Sequence, residues 1–180
     1  MAIKFHESTK EFHLYNEQIS YIIRVLENGQ LGHVYYGKHI TDKEDFGYLI
    51  EYARRDMAPY PFEGNSTFSL EHLKQEYPTF GSGDTRYPAF ELEREDGSRA
   101  VDFKYKTHEI FRGKKGLEGL PAVYVESEDE ADTLEIVLED KLIHTQILLS
   151  YTIFKDIPVI TKHVRFSCEH SEGITLLNCM

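Results

Sequence analysis

Histidine and cysteine are the side chains best suited to bind metals, and here they do not have the spacing of a known metal site. The chain contains nine histidines and two cysteines, Cys168 and Cys179. Cys168 and His170 are two residues apart and His163 precedes them, which matches no structural zinc motif. We therefore predict no metal site and interpret the histidines as surface or hydrogen-bonded side chains.

Two further kinds of catalytic motif are absent from the sequence. No serine or cysteine stands in a Gly-x-Ser-x-Gly elbow or a comparable turn. The glycine-rich connection from Gly113 to Gly119 lacks the spacing of a phosphate-binding loop. Lys114 and Lys115 within it are interpreted as part of a solvated turn, and we predict no cofactor.

The stretch from Glu76 to Phe90 resembles neither a strand nor a helix and is predicted to be rigid. Pro78 and Pro88 fix their own φ and drive the residues before them toward extended conformations. Gly81 and Gly83 permit backbone angles that a side chain would forbid. A stiff, aromatic, irregular segment of this kind typically packs under or beside a functional surface.

Asp84 and Arg86 in this stretch share one face if the backbone is extended, because side chains alternate with a period of two. Two interpretations are open at this point. One is a local salt bridge that fixes the loop, which we favour because short-range ion pairs are common in stiff loops. The other is a polar anchor on an interface with another domain.

Several short motifs occur in one order along nearly the whole chain, from about Phe12 to Leu177. They are Thr67-Phe68-Ser69-Leu70, Gln75-Glu76-Tyr77-Pro78, Gly83-Asp84-Thr85-Arg86, Lys106-Thr107-His108, Gly119 to Glu126 and Thr133 to Leu138. Their order resembles the N-terminal domain of family 36 α-galactosidases. Several dispersed motifs in one order are more specific than any single one of them.

This resemblance implies a parent enzyme that hydrolyses terminal α-galactosides of the melibiose and raffinose type with retention, without a cofactor and as a homotetramer. It also implies that the catalytic carboxylates lie on a barrel domain C-terminal to this one. The family's nucleophile lies in a Lys-x-Asp-x-Asn motif, which is absent here, and its acid/base follows an Arg-Gly pair. Arg112-Gly113 is followed by Lys114-Lys115-Gly116, so we predict no catalytic residue in this chain and no activity of the isolated chain.

One sugar contact is also implied by the resemblance. In tetrameric members of the family, a loop before the Thr-Phe-Ser-Leu motif reaches the active site of a neighbouring subunit, where an acidic residue touches the sugar. Asp56 is the nearest match to that residue, and Arg55 is the alternative, so both are candidate substrate-binding residues. Tyr60, Phe62 and Phe80 have the chemistry to stack on sugar faces, although the core is the commoner place for such rings.

The hydrophobic pattern predicts the fold class. Apolar residues alternate in about ten short runs, with turn signals at Asn28-Gly29 and Asp96-Gly97 that predict hairpins, the first as a type I′ turn. Val123 to Val125 is predicted to begin a further strand. From Thr41 to Phe90 the alternation fades. We therefore predict an all-β protein, an antiparallel β-sandwich (supersandwich) with a long irregular loop and little helix.

Composition agrees with this class and excludes two kinds of partner. The 180 residues include 12 Tyr and 11 Phe but no Trp, and such aromatic residues favour half-buried sheet surfaces. A formal net charge of −11 argues against nucleic acid and against an anionic lipid surface. No window approaches the roughly 20 apolar residues of a membrane helix, and the N-terminus lacks a signal-peptide pattern. We expect a cytoplasmic protein.

The chain stops within an apolar run, Ile174 to Leu177, where a natural domain end is more often polar. Together with this chain end, the resemblance to family 36 α-galactosidases implies that residues 1–180 are the N-terminal β-sandwich domain of a larger glycosidase, truncated before the catalytic barrel. The segment from Arg54 to Phe90 is predicted to be an interface with the barrel or with a neighbouring subunit. Two alternatives remain, a stand-alone carbohydrate-binding module and a purely structural interaction domain.

Overall fold

The computed structural model describes residues 2–54, 62, 64–81, 83–121, 123–168 and 173–180, which form ten strands in three antiparallel sheets. The first sheet has the order β1 (Ala2–His6), β2 (Glu11–Tyr15), β3 (Ile19–Val25) and β4 (Leu31–Lys38). The second has the order β6 (Lys104–Arg112), β7 (Ala131–Asp140), β8 (Thr145–Phe154) and β9 (Ile160–Cys168). The third pairs β5 (Phe90–Arg94) with β10 (Ile174–Cys179). The predicted all-β, antiparallel, sandwich-like fold is confirmed.

Helix in the described residues is confined to two three-residue 3-10 segments, Gly47–Leu49 and Glu128–Glu130. No helix in this part of the chain has the length and apolar character needed to cross a membrane.

The main hydrophobic core is shared by all three sheets. Phe12 from β2, Leu134 from β7 and Leu149 from β8 have no solvent exposure. Phe90 and Leu92 from β5 belong to the same buried cluster. The alternation in the sequence places these side chains on the inner faces of their strands, and burial of each contributes about 1.5–3 kcal/mol.

The hairpin at Asn28-Gly29 is confirmed, but its turn is not type I′. Strands β3 and β4 pair antiparallel on either side of it. Gly29 has a φ of +86°, whereas Asn28 is not among the described non-glycine residues with positive φ. The loop closes through hydrogen bonds from Gly29 N to Leu26 O and from Leu26 N to Gln30 O, both 2.8 Å. The hairpin therefore has a five-residue loop, in which only the glycine adopts a left-handed conformation, instead of the two-residue loop of a type I′ turn.

The chain reverses at Asp96-Gly97 as predicted, but the two runs that flank this turn do not pair as a hairpin. Gly97 has a φ of +77°, and its N–H donates to Arg94 O over 2.9 Å. The returning chain then leaves β5, because Val101 N donates to Phe80 O and Asp102 N donates to the Asp140 carboxylate. Strand β5 pairs instead with β10.

The strand predicted at Val123 to Val125 is absent, because residues 123–125 have no strand assignment. Val123 is 53% and Tyr124 77% exposed. A strand of this kind needs a half-buried face, and here the side chains of Val123 and Tyr124 lie in solvent instead of packing on a sheet.

Candidate functional site

The candidate site is the long segment that joins β4 to β5, residues 39–89, which we call the connecting segment. Its described parts are residues 39–54, 62, 64–81 and 83–89. The predicted sugar-contacting residues Arg55 and Asp56 lie outside the described residues, as does Tyr60. The geometry of the site is therefore that of the residues on either side of them.

Both sides of residues 55–61 return to one small hydrophobic cluster. This second core consists of Leu26, Phe68, Leu70 and Leu73, all at most 5% exposed. Ile50 packs against it from the N-terminal side and Phe62 from the C-terminal side. The Phe62 ring lies 5.5 Å from the Phe68 ring, so Phe62 is a core contact rather than a free sugar platform.

The first part of the connecting segment lies against the outer face of the first sheet and is fixed there by Asp42. This carboxylate contacts Lys4 at 2.7 Å, His13 at 2.8 Å and His6 at 3.0 Å. Burial raises the pKa of Asp42, but the hydrogen bonds from these three side chains outweigh it and lower the pKa from 3.8 to about 2. Asp42 is therefore a structural anion that ties the segment to β1 and β2.

Residues 74–76 of the connecting segment run along the edge of β4. His33 N donates to Lys74 O over 2.7 Å, and Glu76 N donates to Leu31 O over 2.9 Å. Together with the bridge between Gly32 and Gln75, these bonds add a short extra strand to the first sheet. The backbone just before the stiff Tyr77–Phe90 stretch is thus fixed by the sheet.

Glu76 is the most connected carboxylate of the site. Its side chain is 2% exposed and accepts hydrogen bonds from the hydroxyls of Tyr21 and Tyr151, each 2.8 Å from Oε1. Lys162 Nζ lies 3.0 Å from Oε1, and His33 Nδ1 lies 3.1 Å from Oε2. These four partners come from β3, β8, β9 and β4, so one side chain joins the connecting segment to both four-stranded sheets.

Burial raises the pKa of Glu76, but the hydrogen bond from His33 and the charge of Lys162 outweigh it. The pKa of Glu76 therefore lies below its ordinary value of 4.5. The neighbouring carboxylate in turn adds to burial in raising the pKa values of Tyr21 and Tyr151. Glu76 is ionised and fully hydrogen-bonded, so it is suited to hold the fold together rather than to transfer protons.

The predicted salt bridge between Asp84 and Arg86 is confirmed. Arg86 Nε donates to Asp84 Oδ1 over 2.9 Å, and Arg86 Nη2 donates to Oδ2 over 2.8 Å. The same Nη2 donates to Leu70 O and Leu73 O, at 2.7 and 2.9 Å. The bridge thus also closes the turn that carries the second core, a contact that the sequence did not indicate. Burial raises the pKa of Asp84, but Arg86 outweighs it and keeps the pKa below 3.8.

Aromatic side chains remain exposed on the connecting segment. Phe80 is 41% and Tyr87 69% exposed, and Tyr48 and Tyr52 are 65% and 43% exposed. Exposed Tyr and Phe are enriched at protein interfaces, and Tyr52 stands three residues before Arg55 in the sequence.

No three His, Cys, Asp or Glu side chains of the described residues are grouped so that they could hold a metal ion. Cys168 is half-buried and accepts a hydrogen bond from the Thr145 hydroxyl at 3.4 Å. His170 lies outside the described residues. Fold and site together define an antiparallel β-sandwich domain with a long, anchored surface segment between two of its strands.

The chain belongs to the glycosyl hydrolase family 36 N-terminal domains, whose family model matches residues 29–180. It is 42% identical over 182 residues to the α-galactosidase AgaA of Geobacillus stearothermophilus, an alignment that covers 100% of this chain and 25% of the relative. The chain thus spans about a quarter of the length of the curated relatives that it matches.

Solved structures give the same result. The crystal structure of the family 36 α-galactosidase AgaB from Geobacillus stearothermophilus matches with a TM-score of 0.89 and 42% identity, over 99% of this chain and 24% of that chain. A variant of AgaA in complex with raffinose matches with a TM-score of 0.88 and 43% identity, over 94% of this chain and 24% of that chain.

Proposed function

We propose that this chain is the N-terminal β-sandwich domain of a larger, cytoplasmic, homotetrameric α-galactosidase, truncated before its catalytic barrel. The whole enzyme hydrolyses terminal α-galactosides of the melibiose and raffinose type with retention and without a cofactor. The observation that carries this proposal is the 42% identity to AgaA over the whole chain, combined with the family match. The raffinose complex of an AgaA variant supports the substrate class.

Within that enzyme the domain acts as a scaffold that shapes an active site on another part of the protein. The anchoring of Ile50 and Phe62 on the second core supports this role, because it fixes both sides of the segment that carries Arg55 and Asp56. A stiff support reduces the conformational entropy lost when that segment meets a sugar or a neighbouring subunit.

Kinetics of the full-length enzyme test this role. Asp56→Ala or Arg55→Ala should lower kcat/KM for raffinose while leaving the melting temperature near that of the wild type, because loss of a polar side chain that serves ligand binding rather than the core typically changes stability by within about 0.5 kcal/mol. Arg54→Ala is the matched control for Arg55→Ala, because Arg54 is an exposed arginine directly before it in the sequence. If neither Asp56→Ala nor Arg55→Ala changes turnover, the domain is a scaffold without a sugar contact.

The isolated chain provides the complementary test. Because neither family carboxylate motif occurs in its sequence, the purified 180-residue protein should not hydrolyse an aryl α-galactoside. Robust turnover by a preparation free of other glycosidases would contradict the proposal that the catalytic carboxylates lie outside this chain.

A further inference from the structure

A cleft of about 380 Å³ lies at one end of the sandwich. One wall is the turn between β2 and β3, and the other is the turn between β8 and β9. The residues that line it are Tyr15, Asn16, Glu17, His39, Lys155 and Asp156. We call it the turn cleft.

The two walls of the turn cleft are locked together by Asn16. Its side-chain amide donates to Phe154 O at 2.8 Å and to Ile157 O at 2.9 Å. Its Oδ1 accepts from the backbone N–H groups of Gln18 and Ile19. Asn16 is 4% exposed and has all its hydrogen-bonding capacity committed. The cleft is therefore preformed, and a ligand would lose little free energy in organising it.

An aromatic wall lines one side of the cleft. The Tyr15 ring centroid lies 5.8 Å from that of His39 and 4.5 Å from that of His13. The backbone of His39 is fixed by a 2.9 Å hydrogen bond from its N–H to Gln18 O. These contacts hold two rings, one of them exposed, in place at the mouth of the cleft.

The charged groups of the cleft are uncommitted. Glu17, Lys155 and Asp156 are exposed, and within the described part of the chain their side chains make no hydrogen bond or ion pair. They offer two carboxylates as acceptors and one ammonium as a donor. Because the carboxylates outnumber the ammonium, an anionic ligand is disfavoured, whereas a neutral ligand with many hydroxyl groups can use both kinds of partner.

The cleft beside Arg94 is larger, about 540 Å³, but it lacks this combination. Lys104 there is paired with Asp102 at 2.6 Å, and Glu139 is paired with Lys106 at 2.7 Å. None of the described residues that line it is aromatic. The turn cleft differs from it in its aromatic wall.

We propose that the turn cleft is an accessory binding site for a neutral oligosaccharide. A sugar ring packs its apolar face on the Tyr15–His39 wall, and its hydroxyl groups hydrogen-bond to Glu17, Asp156 and Lys155. The choice of an oligosaccharide rather than another polyol rests on the proposed function. The site itself lies on this chain and makes no contribution to bond cleavage.

The test is calorimetric titration of raffinose into the full-length protein, with a saturating galactose-like iminosugar present to occupy the catalytic site. Wild type should retain raffinose binding in the millimolar range. His39→Ala and Asp156→Ala should each weaken it by about tenfold, as expected for loss of one stacking or charged hydrogen-bonding partner. His39 is exposed and contacts the Tyr15 ring at 5.8 Å, and no hydrogen bond or ion pair of the described residues involves the Asp156 side chain, so both variants should melt within a few degrees of wild type.

Glu118→Ala is the matched control, because Glu118 is an exposed carboxylate on a different loop. It should leave raffinose binding unchanged, and all three variants should turn over an aryl α-galactoside as wild type does. Absence of residual raffinose binding, or residual binding of equal strength in the His39 and Asp156 variants, would overturn the accessory site. Absence of aryl-galactoside turnover would instead contradict the proposed function, since the titration needs no catalysis.

Discussion

Tyr151 on β8 donates its hydroxyl proton to Glu76 Oε1 over 2.8 Å, although the two residues are 75 positions apart in the sequence. The same oxygen accepts from Tyr21 of the opposite sheet. A carboxylate from an irregular segment thus hydrogen-bonds to side chains of both four-stranded sheets. Its removal should affect the whole sandwich rather than one loop.

Glu76→Gln should lower the free energy of unfolding by roughly 2–4 kcal/mol, because Lys162 loses its buried counter-charge and several donors lose a charged acceptor. Urea denaturation followed by circular dichroism measures this change. Glu118→Gln, on an exposed loop, should change stability by within about 0.5 kcal/mol. An equal effect of the two substitutions would show that Glu76 does not link the sheets.

The same carboxylate predicts a pH dependence. The pKa of Glu76 is lowered in the folded protein, so its contribution to stability is complete above the unfolded value near 4.5 and is lost as the pH falls through the folded value. The stability difference between wild type and Glu76→Gln should therefore shrink below pH 4.5. A constant difference down to the lowest pH at which both proteins fold would be inconsistent with this sign.

Asp42→Asn should make the free energy of unfolding less dependent on pH between 3.8 and about 2. The pKa of Asp42 falls from 3.8 to about 2 on folding, which corresponds to roughly 2 kcal/mol of stability present above 3.8 and lost toward pH 2. Wild type should lose this amount over that range, and Asp42→Asn should not. Asp45→Asn, which removes a 65% exposed partner of Arg24, should keep the wild-type acid dependence.

Arg86→Lys should lower stability by about 1–2 kcal/mol, because lysine keeps the charge but cannot reach Asp84 and two backbone carbonyls at once. Thermal melting of the purified chain measures the loss. Arg99→Lys provides the comparison, since Arg99 pairs with Glu93 at the surface and makes no such carbonyl contacts. A loss of the same size in Arg99→Lys would contradict the claim that the guanidinium of Arg86 stabilises the fold more than a surface ion pair does.

Gly81→Ala should be the more damaging of two glycine substitutions at positive φ. Gly81 has a φ of +107°, and an added Cβ would lie 2.8 Å from Ala100 Cβ. Gly97 has a φ of +77° but open space around it. We expect Gly97→Ala to cost about 1 kcal/mol from backbone strain alone and Gly81→Ala to cost roughly 1–2 kcal/mol more, measured by urea denaturation.

The fold was predictable from the sequence where the interactions are local. Alternating apolar residues predict β7 and β8, and Asp84 predicts its bond to Arg86 because only Thr85 separates them. The pairing of β5 was not predictable, since alternation shows that a strand forms but not which strand it meets. The same limit applies to the site. Nothing in Glu76-Tyr77-Pro78 indicates a buried carboxylate, because the hydrogen-bonding partners of Glu76 come from four strands that meet only in the folded protein.

The pairing of β5 with β10 also determines when these two strands can come together during folding. Arg94 pairs with Ile174 and Phe90 with Cys179, so about 80 residues separate the two strands. Contacts of such long sequence separation form late, and during synthesis they must wait for the later strand to leave the ribosome. A nascent chain paused before residue 174 therefore presents β5 as an open edge, a site at which two such chains can pair with each other.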